Sequence, residues 1–147
     1  MIAGQTDDAG ARAGAEQFEG RSACQTFVLT ARLIEGFAEL SGDRSPIHVD
    51  EAFARRRGLK SCVAHGALLG ALTSCVLGME LPGAAGMLQE LSLRFHKPSF
   101  AGDTLTVRVT VASVVESVQT LLLKVQITNQ DNETVATGKA QSGIYST

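Results

Sequence analysis

The sequence predicts a single α+β domain in which an antiparallel sheet wraps one apolar helix. Three observations lead there. The run His65 to Met79 (HGALLGALTSCVLGM) is apolar around nearly its whole circumference, as a helix enclosed by other structure is. Beyond the turn cluster Leu81-Pro82-Gly83-Ala84-Ala85-Gly86 no helical period returns, and four long runs alternate apolar with polar residues. Between the first strand-like run and the apolar helix lie only short amphipathic segments. With 147 residues the chain fits one domain. It can bury roughly 68–70% of its unfolded surface without a disulfide or metal staple.

Taken in order, residues 1 to 20 are rich in Ala, Gly, Asp and Glu and lack a period, so they are expected to form a flexible acidic tail, with the folded domain spanning 21 to 147. Cys24 to Thr30 (CQTFVLT) carries β-branched and aromatic residues at near-alternate positions and suits a strand. Arg32 to Leu40 places apolar side chains at 33, 34, 37 and 40, the stripe of a short helix that Ser41-Gly42 ends. Pro46 makes Asp43 to His48 a loop, since proline lacks a donor and turns its predecessor away from helical geometry. Asp50 to Arg57 is the next helix, with acids first, bases last and Gly58 closing it. The strands Met87 to His96, Thr104 to Glu116, Val118 to Asn129 and Thr134 to Tyr145 follow, joined by Gly102-Asp103, Glu116-Ser117 and Asp131-Asn132, as an antiparallel meander.

Composition narrows the partners. Thirteen Lys+Arg against fifteen Asp+Glu give a formal charge of −2, leaving no basic surplus for a phosphate backbone, so nucleic acid is not expected. With 44% hydrophobic and 19% charged residues and a mean hydropathy of +0.10, the chain is not disordered. Its longest apolar stretch falls short of the roughly 18 residues a membrane span needs, so no membrane is expected either. Cys24, Cys62 and Cys75 form no C-x-x-C pair and are odd in number, and the N-terminus resembles neither a secretory nor a transit signal; both point to a reducing cytoplasm.

Asp43 and His48 are the pair that could carry chemistry, because a carboxylate and an imidazole can together activate a water. A helix through both would set them about 140° apart, whereas a loop around Pro46 can turn both inward. For an arbitrary D-x-x-x-x-H the reading as a capping Asp and a satisfied loop His would win, and the surrounding residues decide between them. Gly66, one residue into the apolar helix, has an N–H that could stabilise a developing oxyanion; the alternative is that it simply eases close packing. His65 fits a locally bonded residue at the helix start better than a catalytic one. His96, beside Lys97, reads as a surface side chain. Ser74 allows a back-bonded helix serine. Arg55, Arg56, Arg57 and Lys60 form a basic patch, either a solvated helix face or an attractor of a negatively charged carrier.

The run Phe37-Ala-Glu-Leu-Ser-Gly-Asp43-Arg-Ser-Pro-Ile-His48-Val-Asp-Glu-Ala-Phe-Ala54 resembles the signature of the MaoC-like dehydratases, the (R)-specific enoyl-CoA hydratase group: an aromatic, Ser-Gly-Asp, one residue, Asn-Pro-aliphatic-His, and a small residue six positions on. The resemblance continues through Val63-Ala64-His65-Gly66 and Leu93 to Asp103 and covers about residues 24 to 145. It implies a hot-dog fold with a short helical overhang, a homodimer, and reversible hydration of trans-2-enoyl thioesters to (R)-3-hydroxyacyl thioesters. By the same resemblance Asp43 and His48 are the catalytic pair acting on one water, Ser45, His65 and Ser74 contact substrate, and Ser74 lines the acyl tunnel. The substrate is an acyl-CoA or an acyl carrier protein thioester. No metal or further cofactor is implied, coenzyme A or phosphopantetheine being part of the substrate. The chain departs from the pattern at Ser45, where the family has Asn. That substitution keeps open a non-catalytic hot-dog module that binds acyl thioesters; a hot-dog thioesterase is the other alternative, against which the Asp43/His48 block speaks.

Overall fold

The computed structural model describes residues 14–145. Five strands form one antiparallel sheet: β1 (Ser22–Val28), β2 (Gly86–Phe95), β3 (Thr104–Val115), β4 (Thr120–Thr128) and β5 (Thr134–Ile144), in the order β1-β3-β4-β5-β2. Among the described residues the α-helices are α1 (Ala31–Ser41), α2 (Pro46–Val49), α3 (Glu51–Arg56) and α4 (Gly66–Met79). Each expected strand and long helix is present within a few residues of its expected bounds. The arrangement is the hot-dog fold, a sheet with one long helix against its inner face.

Alternation makes the two faces of the sheet different. Leu105, Val107, Val109 and Val111 of β3 and Leu121, Leu123, Val125 and Ile127 of β4 are buried against α4, which contributes Leu68, Leu69, Leu72, Val76 and Leu77. The intervening side chains, among them Arg108, Lys124 and Gln126, point outward and are exposed. Asp103 closes the turn that enters β3 by accepting the Phe100 N–H at Oδ2 (2.8 Å).

Four features differ from expectation. The strands are not a simple meander: β2 pairs with β5 instead of its successor β3, because the chain leaves β2 at one edge and crosses to re-enter beside β1. Asp43 to His48 is not loop throughout. Pro46 opens the single turn of α2, where its missing N–H would have no intrahelical partner and its fixed φ suits the first helical position. The expected tail of residues 1–20 falls partly outside the described residues, but Ala15–Phe18 form a 3₁₀ turn whose Ala15 and Phe18 enter the core. Lastly, α4 is not enclosed on all sides; Ala67, Ala71, Ser74 and Gly78 lie exposed on one face. Small residues there keep the sequence apolar without marking that face as buried.

Two caps position the segment that follows α1. Thr30 Oγ1 accepts the Leu33 N–H at its start (3.1 Å), and Gly42 at its end adopts φ 75°, a left-handed conformation that delivers the chain into Asp43. Replacing Phe18 with Ala should lower unfolding free energy by about 3 kcal/mol in urea titrations, as for other large core truncations; a change near zero would mean that Phe18 belongs to a free tail.

Candidate active site

The site is assembled from the turn after α1, the short α2 and the N-terminus of α4. Ser41 Oγ ties the turn together, donating to the Phe37 carbonyl (2.7 Å) and accepting the Asp43 N–H (3.2 Å). Asp43 Oδ1 then accepts the Ser45 N–H (3.1 Å), an Asx turn that commits one carboxylate oxygen to the backbone. The other oxygen, Oδ2, lies 3.9 Å from His48 Nε2. That gap is too long for a direct hydrogen bond.

Backbone carbonyls assign the protons on both imidazoles. His48 Nδ1 lies 2.7 Å from the Val63 carbonyl, which can only accept, so Nδ1 carries the hydrogen and Nε2 of the neutral ring offers its lone pair toward Asp43. Val63 is itself held by its N–H on the Ile47 carbonyl (3.1 Å) and by its bridge to Phe100. His65 Nε2 lies 2.9 Å from the Asp43 carbonyl and must donate, leaving Nδ1 as a buried acceptor with no partner among the described residues. The two rings stack with centroids 3.8 Å apart and planes 23° apart, and Phe37 leans on His65 from 5.1 Å.

His48 and Gly66 share a cavity of about 390 Å³ with Val63, Leu69, Phe95 and Lys97. Gly66 is the first residue of α4, and its N–H has no acceptor among the described residues. A Cβ at that position would stand 2.8 Å from the Phe95 ring, so the absence of a side chain also serves close packing. Both readings of Gly66 are therefore compatible with its surroundings.

The remaining expected residues are scattered. Ser45 caps α2 without a side-chain hydrogen bond. Ser74 is exposed and lies outside the cavity that His48 lines; the back-bonded hydroxyl of α4 belongs instead to Thr73, which donates to the Leu69 carbonyl (2.8 Å). Arg55 is paired with Glu51 one turn away, and the Arg56 and Arg57 guanidinium groups lie 5.8 and 5.2 Å from the Phe53 ring centre. Lys60 faces Asp103 at 3.7 Å and the Phe100 ring at 4.5 Å. His96 is exposed, as expected, with Nε2 2.7 Å from Thr137 Oγ1, yet it also borders the cavity. Val63, Phe95 and Ser41 are contributors that the sequence reading missed. A carbonyl acceptor has no residue-type signature; the Ser41 role was open to discovery, since Ser-Gly-Asp at a helix end is a recognisable turn.

Two titrating groups near this region are shifted. Burial, reinforced by the Glu51 and Asp50 carboxylates, raises the Cys62 thiol. Hydrogen bonds from Lys97 and Asn129 hold the Glu133 carboxyl below its usual range, keeping the Lys97 ion pair intact to lower pH than an ordinary glutamate would.

Asp43, His48 and His65 also bring three potential metal-ligating atoms within 4.8 Å. Stacked rings direct their in-plane lone pairs side by side, whereas two imidazoles on one ion must converge on it at about 2.0–2.1 Å. A water hydrogen-bonded to both Asp43 Oδ2 and His48 Nε2 does fit: at about 2.8 Å from each it subtends about 88° across their 3.9 Å separation.

A hot-dog fold carrying a carboxylate and an imidazole on a helical overhang defines a class of thioester-handling proteins, and the comparisons identify the branch. The family described as MaoC like domain matches residues 16–135, and the chain belongs to that family. It is 36% identical over 107 residues to the (R)-specific enoyl-CoA hydratase of Aeromonas caviae, covering 73% of this chain and 80% of that protein. It is 42% identical over 82 residues to the 3-hydroxybutyryl-CoA dehydratase of Methylorubrum extorquens, where the match spans 56% of this chain and 52% of the relative. Among solved structures, the (R)-hydratase from A. caviae superimposes with a TM-score of 0.82 at 33% identity, covering 86% of this chain and 96% of that one. R-hydratase PhaJ1 from Pseudomonas aeruginosa gives 0.84 at 30% identity, covering 91% and 86%.

Long-range proton–nitrogen spectra of the neutral imidazoles should show the Nδ1–H tautomer for His48 and the Nε2–H tautomer for His65; the reverse pattern at His48 would remove its lone pair from the gap beside Asp43. Thiol titration should find Cys62 alkylated more slowly than exposed Cys24 at neutral pH, because a raised pKa leaves less thiolate.

Proposed function

We propose that this protein is a hydro-lyase that reversibly hydrates trans-2-enoyl thioesters to (R)-3-hydroxyacyl thioesters. The observation that carries this reading is the placement of His48 Nε2 3.9 Å from Asp43 Oδ2, a gap that one water can bridge, with the His48 ring also lining the cavity that Leu69 and Phe95 border. The names of the relatives supply the reaction class and the stereochemistry.

In the hydration direction, Asp43 Oδ2 and His48 Nε2 hold the water against C3 of the enoyl group. His48 takes one proton as the water oxygen bonds to C3. The C2–C3 double-bond electrons move toward the thioester carbonyl, whose oxygen accepts from the Gly66 N–H at the start of α4, where the helix dipole favours negative charge. The proton held by the pair then passes to C2 from the same face, the carbonyl re-forms, and one water has been added syn. Dehydration is the reverse. At Ser45, where the resemblance leads one to expect Asn, the contact made to Asp43 Oδ1 is a backbone one, which any residue but proline can make.

The balance of this reaction calls for no metal or redox group, and coenzyme A or phosphopantetheine enters as part of the substrate. A homodimer formed along the free edge of β2 would cover Met87, Leu88 and Phe95, which are 59%, 36% and 49% exposed, and would complete the cavity that Phe95 borders. Sedimentation equilibrium should find two copies. No helix among the described residues is long and apolar enough to cross a membrane, and three free cysteines accord with a cytoplasmic setting.

Crotonyl-CoA mixed with the protein should lose its enoyl absorbance while free thiol stays constant. Asp43→Asn and His48→Ala should each lower kcat at least about a hundredfold with the fold retained by circular dichroism. Thiol release would identify a thioesterase instead, and wild-type rates in both variants would remove the assigned pair.

A further inference from the structure

The outer face of the sheet carries a second cavity that the reaction above does not use. It is an open depression of about 830 Å³ lined by Arg94, Arg108, Lys124 and Lys139 with Thr110, Gln126 and Thr137, and no carboxylate contributes to it. In a chain of net charge −2, this is a local concentration of cations.

Strand register explains how residues far apart in sequence converge. Arg94, Thr137, Gln126 and Arg108 face one another in a row across β2, β5, β4 and β3. In the next row Ser92, Lys139, Lys124 and Thr110 do the same. At about 4.8 Å between strands, Lys124 and Lys139 stand directly side by side, while the two arginines bracket them about 14 Å apart. Like charges directly opposite across a ladder are destabilising. None of the four has a carboxylate within 4.0 Å among the described residues, in contrast to Arg55, Lys60 and Lys97. Repulsion across this face, though screened by solvent, is of a kind that an anion seated among the four would relieve.

Position decides which anion. His96 lines both this cavity and the one shared by His48 and Gly66, so the two meet at the β2 edge. A thioester whose acyl group occupies the inner cavity would run its carrier arm past His96 and Lys97 onto the cationic face. The nucleotide end of coenzyme A carries about four negative charges at neutral pH, from a pyrophosphate and a phosphate monoester, against four cations here. Thr110, Thr137 and Gln126 are engaged by Ser22, His96 and Thr134, so recognition here falls to the four cations, and 830 Å³ lies within the usual range for a small-ligand site. We propose that Arg94, Arg108, Lys124 and Lys139 form the docking site for the phosphorylated nucleotide of a coenzyme A thioester. This assignment, which rests on the hydratase reading for the identity of the carrier, makes the sheet face and not the α3 arginines the principal carrier contact.

Calorimetric binding of adenosine 3′,5′-bisphosphate to the full chain tests the site without any turnover. The wild type should bind at low ionic strength, weaken with salt, and lose about tenfold or more in affinity when all four cations are replaced by Gln. The single variant Lys124→Gln should weaken nucleotide binding while raising the urea midpoint of the free protein, a combination that loss of structure does not produce. Equal binding by wild type and variants overturns the proposal. In turnover, the fourfold variant should raise KM for crotonyl-CoA with kcat little changed, and leave KM for crotonyl-N-acetylcysteamine, which has no nucleotide, where it was. A parallel rise for both thioesters overturns the proposal, and so does a rise confined to a crotonyl carrier protein, which would make this face a protein-docking surface. Absence of turnover by the wild type would refute the hydratase reading alone, and the bisphosphate measurement would still decide the site.

Discussion

A buried imidazole joins the two halves of the site. His65 ends the approach to α4, and its Nε2–H is bonded to the carbonyl of Asp43 while its ring lies flat against His48. The turn that bears the carboxylate is thereby fixed to the helix that bears the Gly66 N–H. Without that link, an Asx turn half exposed to solvent and a four-residue helix would have little to hold them at a set distance from α4. Nδ1 of His65 has no protein partner among the described residues, so the ring is held here by one hydrogen bond and one stacking surface.

Orientation in this site is set mostly by main-chain groups. The Val63 carbonyl sets the His48 tautomer, the Asp43 carbonyl sets that of His65, and the Ser45 N–H engages one Asp43 oxygen. Such contacts are insensitive to the side chain that bears them, and the Ser45 N–H makes its contact without help from the serine hydroxyl. The residues for which identity matters are those whose side chains reach the gap, Asp43 and His48, and the one whose missing side chain admits Phe95, Gly66.

The sheet serves two surfaces at once. Its inner side chains bury α4 and so place the helix N-terminus beside the overhang; its outer side chains are freed from packing and can be selected for charge. Because alternation separates the two sets, Lys124 and Lys139 can be neighbours on the outside while Leu123, Val125 and Ala140 remain buried on the inside. Charge on the outer face thus leaves the packing beneath it unchanged.

Period and punctuation in the sequence determined the element list: two-residue alternation marked every strand, the apolar stripe marked α1, and the residues of the Asp43 to Ala54 block marked the catalytic candidates. These signals are local, carried by neighbours within a few positions. What only the tertiary structure decided is non-local. The pairing of β2 with β5, the burial of Phe18, the exposed face of α4, the carbonyl partners of the two histidines and the meeting of four cations from separate strands all depend on which distant segments come into contact. Even at Pro46 the local signal points to a loop, because proline is excluded from helix interiors, while its place in a first helical turn depends on how the chain around it folds.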